Sequence, residues 1–77
     1  MKEGDYVIFR NNSEFCKGEI LFHNEVLDEF TIYITQTFPE NNQKYNTPNV
    51  KPNDIIRKVS KNFSLKNFNE KHPEYFI

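Results

Sequence analysis

The chain has 77 residues, a length that allows one small domain with a thin core. Hydrophobic residues make up only 36% of it, but eight Phe and four Tyr compensate because each buries a large area. The formal net charge of −1 argues against a dedicated nucleic-acid-binding protein, since such domains are usually clearly basic.

Short strands separated by turn signals dominate the first sixty residues. Residues 6–10 form the first predicted strand, and the polar residues 11–13 form a turn because Asn tolerates a left-handed backbone. A second strand is predicted over residues 15–23. Alternation along this strand places His23 on its outer side. The predicted core side of the strand consists of Cys16, Gly18, Ile20 and Phe22.

The clearest strand is predicted at residues 30–35, where apolar and polar residues alternate with period two. Residues 39–49 are rich in Asn and Pro and are predicted to form a loop or a bent edge strand. A tight turn at residues 52–54 precedes a last short strand at residues 55–59. The core predicted from these strands consists of Val7, Phe9, Ile20, Phe22, Phe30, Ile32 and Ile34.

Beyond Ser60 the pattern changes to a C-terminal extension, residues 61–77. Ser64 is a good N-cap for a short helix, and Pro73 would end that helix. The extension is too apolar to remain in solvent, so it either packs on the sheet or binds a partner. Its large apolar residues are Phe63, Leu65, Phe68, Tyr75, Phe76 and Ile77.

Several stretches resemble the strand series of SH3-like small barrels of the Tudor and KOW kind. The stretches are Gly4-Asp5-Tyr6-Val7, Gly18-Glu19-Ile20, residues 30–37, Val50 and residues 54–59. The resemblance covers about residues 3–59 and implies a mainly β fold, a five-stranded SH3-like barrel over residues 1–60. The chain has no Trp and no evident aromatic cage of the kind with which Tudor domains bind methylated side chains.

Neither catalysis nor metal binding is indicated by the sequence. Cys16 and His23 are seven residues apart in one predicted strand, which would place them on opposite faces and excludes a Cys–His pair. A structural zinc site needs four Cys or His ligands, usually in closely spaced pairs, and the chain has one Cys and two His. We therefore expect no catalytic residue, no metal and no cofactor.

An apolar outer surface is one indication of a contact site. If the side chains of the predicted core point inwards, other large apolar side chains on neighbouring strands face outwards. An exposed patch of this kind marks an interaction surface. The alternative is that the extension covers it. An acidic loop after the second strand flanks this surface. The predicted partner-binding residues are Tyr6, Ile8, Leu21, Tyr33, Glu25, Asp28 and Glu29.

Charge is unevenly distributed along the chain. Residues 1–40 contain eight acidic and three basic side chains, and residues 41–77 contain seven basic and three acidic ones, so the halves carry net charges of −5 and +4. Nucleic-acid binding by the basic half is the competing function, with cations on phosphates and a ring stacking on bases. The residues predicted for this alternative are Arg57, Lys58, Lys61, Phe63 and Lys66.

The sequence thus predicts a small, non-enzymatic protein-binding module that is a monomer or a weak homodimer. No apolar run approaches the roughly 18 residues of a membrane span, and a single Cys fits a reducing compartment, by default the cytoplasm. Frequent Asn, Lys, Ile and Phe with no Ala indicate an AT-rich genome. Small proteins of this kind from phages and other mobile elements include inhibitors and regulators that act by steric occlusion of a partner such as a host nuclease.

Overall fold

The structure of the protein, a computed structural model, describes residues 1–38 and 42–71. These residues form a five-stranded antiparallel sheet and one short helix, which confirms the predicted mainly β class. The strands are β1 (Tyr6–Asn11), β2 (Glu14–Asn24), β3 (Glu29–Phe38), β4 (Asn49–Val50) and β5 (Ile55–Val59), and the helix is α1 (Leu65–Lys71). A 3₁₀ turn, Pro52–Asp54, connects β4 to β5.

The sheet has the strand order β4-β3-β2-β1-β5, so β4 and β5 are its two edges. Within the described ranges no ladder joins these edges, and closure into a barrel stays a prediction. All five strands nevertheless contribute to one core, which requires the sheet to curl around it. The core side chains are Val7, Phe9, Cys16, Ile20, Phe30, Ile32, Ile34 and Val50, with Ile55 packed against them.

This core confirms the predicted one at every position except Phe22, whose side chain is 52% exposed. The error has a local cause. The register between β2 and β3 shifts between Ile20 and Phe22, which leaves Leu21 without an opposing residue. Such a bulge reverses the alternation beyond it. Phe22 therefore lies opposite Thr31 on the outer face.

The same bulge overturns the prediction that His23 lies on the outer side. His23 pairs with Phe30, a core residue, and its ring stacks on the Phe30 ring with centroids 4.2 Å apart and planes 9° from parallel. His23 and Cys16 therefore share the inner side of β2, contrary to the expected opposite faces. Seven residues of strand still separate them, about 20 Å, so they form no pair.

Gly18 allows β2 and β3 to approach closely beside a second register shift. A Cβ atom at this position would lie 2.5 Å from the carbonyl oxygen of Tyr33 and 2.6 Å from Cγ2 of Ile32. Because the first of these atoms belongs to the backbone, a larger residue cannot be accommodated by a rotamer change.

Gly18→Ala is therefore expected to lower the free energy of unfolding by about 1 to 3 kcal/mol, the usual effect of overpacking a core. Urea unfolding followed by circular dichroism measures this change. An unchanged denaturation midpoint would show that the two strands are farther apart at Gly18 than the structure places them.

The C-terminal extension packs on the outer face of the sheet. Ile8 and Phe15 form a second buried cluster with Leu65 and Phe68, and Phe38, Val59 and Phe63 pack against it. The predicted helix cap is confirmed, since Ser64 Oγ accepts a hydrogen bond of 3.3 Å from the Asn67 N–H. Phe63, Leu65 and Phe68 of the extension thus pack on the sheet. The predictions for Tyr75, Phe76, Ile77 and Pro73 lie outside the described residues.

Lys17 joins the extension to the sheet, a role that the sequence does not indicate. Its side chain is buried, and Nζ donates hydrogen bonds to the carbonyl oxygens of Lys61 (2.6 Å) and Phe63 (2.8 Å). Gln36 adds two bonds, from Nε2 to the Phe63 carbonyl (3.1 Å) and from the Leu65 N–H to Oε1 (2.7 Å). Burial lowers the pKa of the Lys17 ammonium. These four bonds fix the start of α1 on β2 and β3.

Candidate functional site

The far end of the β2–β3 hairpin, residues 21–29, projects beyond β1. Pairing of β1 with β2 begins at Tyr6 and Glu19. The segment before β1 bonds to Ile20 of β2, because the Gly4 N–H donates to the Ile20 carbonyl (2.9 Å) and the Ile20 N–H donates to the Asp5 carbonyl (2.8 Å). We call residues 21–29 the hairpin end. Beyond Ile20, among the strands that the structure describes, β2 pairs with β3 alone.

The hairpin end carries large apolar side chains in solvent. They include the bulge residue, its neighbour and two consecutive residues of the turn. Their exposed fractions are 44% for Leu21, 52% for Phe22, 94% for Val26 and 56% for Leu27. Single exposed apolar residues are common, but a group on one projecting element is typical of a contact surface.

Hydrogen bonds hold the turn of the hairpin end in one conformation. Asn24 Oδ1 accepts the backbone N–H groups of Val26 and Leu27, each at 3.1 Å. Asp28 has a left-handed backbone (φ 51°), and its Oδ1 lies 3.2 Å from His23 Nε2. Since the His23 ring is itself stacked on a core side chain, the turn is connected to the core of the sheet.

Lys51, just before the 3₁₀ turn, also supports the hairpin end. Its Nζ donates to the Leu27 carbonyl at 3.1 Å and lies 3.3 Å from Glu29 Oε2. Two of the three predicted acidic residues, Asp28 and Glu29, therefore have partners within the protein. Glu25 is exposed and has no ion pair in the part of the chain that the structure describes; it borders a shallow hollow together with Glu3.

The structure brings together only part of the predicted partner surface. Leu21, Glu25, Asp28 and Glu29 all lie on the hairpin end. The other three residues do not. Ile8 is completely buried in the cluster that includes α1, so it cannot contact an external partner. Tyr6 is half-buried and donates to Glu19 Oε1 at 3.3 Å, and the Tyr33 ring packs on that of Tyr45.

Three residues of the surface were missed: Phe22, Val26 and Leu27. For the last two the signal was present, because an apolar pair between Asn24 and Asp28 in a polar turn has no reason in local structure. For Phe22 no signal existed, because its exposure depends on the bulge at Leu21.

The residues predicted for nucleic-acid binding are only partly grouped. The Arg57 guanidinium carbon lies 5.9 Å from the ring centroid of Phe63 and 5.0 Å from that of Phe68. Both rings belong to the outer cluster, Phe68 buried and Phe63 half-buried, and together with Arg57 and Lys71 they border a hollow of about 310 Å³. Stacking on bases needs an open ring face, which the buried Phe68 does not offer. Lys58 Nζ lies 3.5 Å from Asp5 Oδ1. Lys61 and Lys66 are exposed, and Lys66 borders a different hollow, next to Lys44.

Chemically reactive groups are not assembled at the hairpin end. Cys16 is buried in the core, where burial, reinforced by the Glu14 carboxylate, raises the pKa of its thiol to about 11. The thiol is therefore protonated at neutral pH and is a poor nucleophile. Residues 1–38 and 42–71 contain no cluster of three or more His, Cys, Asp or Glu that could hold a metal ion.

Over the same ranges, no helix has the length and apolar character needed to cross a membrane. Comparison of the chain with protein-family models, with curated proteins and with solved structures finds no match.

Proposed function

We propose that the protein is a small, non-enzymatic protein-binding module that docks a partner on the hairpin end. One observation carries this proposal: Leu21, Phe22, Val26 and Leu27 are exposed together on a hairpin whose turn is held by hydrogen bonds and one ion pair. A turn that is already ordered loses little conformational entropy on binding, which favours affinity.

The charge around this apolar centre indicates what kind of partner fits. Glu25 and Glu3 are exposed on one side of the hairpin end, where Lys2 borders the same hollow, and the Asp28 carboxylate remains largely exposed beside His23. An acidic rim around an apolar centre favours a partner with an apolar patch bordered by Lys or Arg, because opposite charges accelerate association and reject wrong partners.

The mode of action proposed is steric occlusion. The domain has one apolar docking end and a buried, unreactive thiol, which suits a protein that covers a partner's surface. Such a protein acts as an inhibitor or regulator. If a phage or other mobile element encodes it, a host nuclease is an example of the partner. The proposed setting is the cytoplasm, because the single Cys needs no oxidising compartment. The SH3-like barrel stays the proposed fold family.

The test is affinity capture from a nuclease-treated lysate with a double variant of the hairpin end. Val26→Ser combined with Leu27→Ser removes two exposed apolar side chains and leaves the core unchanged. Truncating residues at the centre of an interface commonly weakens binding by about 2 kcal/mol or more, roughly 30-fold, so the captured protein should be lost.

The matched control is Ile56→Ser, which changes an exposed apolar residue on β5, a strand that does not pair with the hairpin end. It should retain the partner. Retention of every captured protein by the double variant would contradict the proposal. The nucleic-acid alternative would be favoured if proteins were captured from untreated lysate but not after nuclease treatment, and if the Lys58→Glu, Lys61→Glu double variant also failed to capture them.

A further inference from the structure

A second candidate binding site lies at the end of the sheet opposite the hairpin end. The turn between β1 and β2 and the segment before β4 border an open groove of about 510 Å³. We call it the amide groove, because its lining residues include Asn11, Asn12, Gln43 and Asn46 together with Tyr45. The docking of a protein on the hairpin end plays no part in the inference drawn from it.

Tyr45 is held in an unfavourable backbone conformation. Its φ of 74° lies in the left-handed region, which is unusual and strained for a bulky residue. Surrounding bonds impose it: the Tyr45 N–H donates to the Ile34 carbonyl (2.8 Å), and the Ile34 N–H donates to the Asn46 carbonyl (2.9 Å). Strain that is maintained in this way is concentrated at functional sites.

The strained backbone presents the Tyr45 ring to solvent. The side chain is 60% exposed although it is aromatic, and it packs on Tyr33 with ring centroids 6.0 Å apart and planes 28° from parallel. The contact with Tyr33 restricts the Tyr45 ring. A tyrosine ring is flat and amphipathic, and only two side-chain torsions lose freedom when it binds a ligand.

The polar groups of the amide groove are neutral and include both donors and acceptors. Asn11 Nδ2 donates to Gln43 Oε1 at 2.6 Å, which orients both amides. Asn12 and Asn46 are exposed, and each amide offers an N–H₂ donor and a carbonyl acceptor. None of the lining residues is charged. Lys44 is not among the lining residues, but its Nζ lies over the Tyr45 ring, 5.2 Å from the ring centroid.

We infer that the amide groove binds a neutral saccharide. The apolar C–H face of a pyranose ring fits the flat face of Tyr45, and neighbouring hydroxyl groups, each a donor and an acceptor, match the amides of Asn12 and Asn46. A nucleic-acid strand fits less well, because its phosphates require several cations and the groove lining has none.

The test is an NMR titration of the ¹⁵N-labelled protein with cellohexaose and, separately, with the hexamer of N-acetylglucosamine. At least one of them should shift the amide resonances of residues 11–12 and 43–47 with a dissociation constant of about 0.1 to 10 mM, a range usual for a shallow site. Tyr45→Gly removes the ring and relieves the left-handed strain, so this variant should fold and bind at least about tenfold more weakly.

Phe22→Ser is the matched control, since it removes an exposed ring from the opposite end of the sheet and should leave saccharide binding unchanged. The inference is overturned if neither sugar shifts these resonances at 10 mM, or if Tyr45→Gly, shown to be folded by its spectrum, binds as the parent does. Tighter binding of a hexathymidylate that depends on Lys44 would overturn it in favour of a nucleic-acid strand.

Discussion

Ile32→Ala is expected to lower the melting temperature by about 10 to 30 °C, because it leaves a cavity worth about 2 to 5 kcal/mol in a small domain where each kcal/mol shifts the midpoint by several degrees. Ile32 is completely buried in β3, opposite Ile20, and its Cγ2 methyl lies 2.6 Å from where a Cβ of Gly18 would be.

Thermal unfolding followed by circular dichroism measures this effect, and Leu27→Ala is the control. Leu27 is an exposed residue of similar size, so its truncation should change stability by no more than about 0.5 kcal/mol. If Ile32→Ala melts like the parent, then Ile32 is not a core residue, and the inward-facing and outward-facing side chains of β3 are interchanged.

Lys17→Met is expected to destabilise the protein by about 2 to 4 kcal/mol, the second-largest effect. The methionine keeps the apolar length of the side chain but removes the donor for the carbonyls of Lys61 and Phe63. A buried acceptor left without its donor costs about 1 to 3 kcal/mol, although the exposed position of Lys61 allows water to replace part of the loss.

The Lys17 variant also has a local signature. Since these bonds hold the extension on the sheet, amide hydrogen exchange in α1 should accelerate more than exchange in β2 and β3. Lys66→Met changes an exposed lysine of α1 itself and should leave exchange unchanged. Uniform acceleration across the protein, with α1 no faster than the sheet, would show that Lys17 does not specifically hold the extension.

Docking of the extension explains why the hairpin end, rather than the whole outer face, is the candidate contact surface. The sequence leaves two readings open for the outward side chains: cover by the extension or contact with a partner. The structure shows that some of these side chains are covered and others are exposed. Ile8 and Phe15 are covered by residues of the extension, whereas Leu21, beyond the bulge, stays exposed. The surface that remains available is smaller and more sharply defined than predicted.

Much of the fold could be predicted because its signals are local. Period-two alternation predicts β3, polar turns predict the strand ends, and Ser64 predicts the start of α1. The bulge at Leu21 could not be predicted, because it depends on how β2 pairs with β3 and not on a residue pattern within β2. That one register shift exchanged the expected faces of Phe22 and His23 and so changed the candidate site.

Lys17 illustrates a second kind of feature that the sequence could not predict. In the sequence it is one lysine of an outward-facing set, and its partners are carbonyl groups 44 and 46 residues away. Backbone acceptors carry no sequence signal, so a buried lysine that binds them looks like any solvated lysine. For the same reason the strained Tyr45, which is held by backbone bonds to Ile34, could not be recognised from a loop rich in Asn and Pro.

The most direct test of the proposed function is site-specific photo-crosslinking in nuclease-treated lysate of cells that naturally produce the protein. A benzophenone amino acid is placed at Val26 in one sample and at Ile56 in another. Docking on the hairpin end predicts a crosslink to a protein from position 26 and none from position 56. Excess unlabelled parent should suppress the crosslink, and excess of the Val26→Ser, Leu27→Ser double variant should not. A crosslink only from position 56, or equal suppression by the double variant, would contradict the proposal.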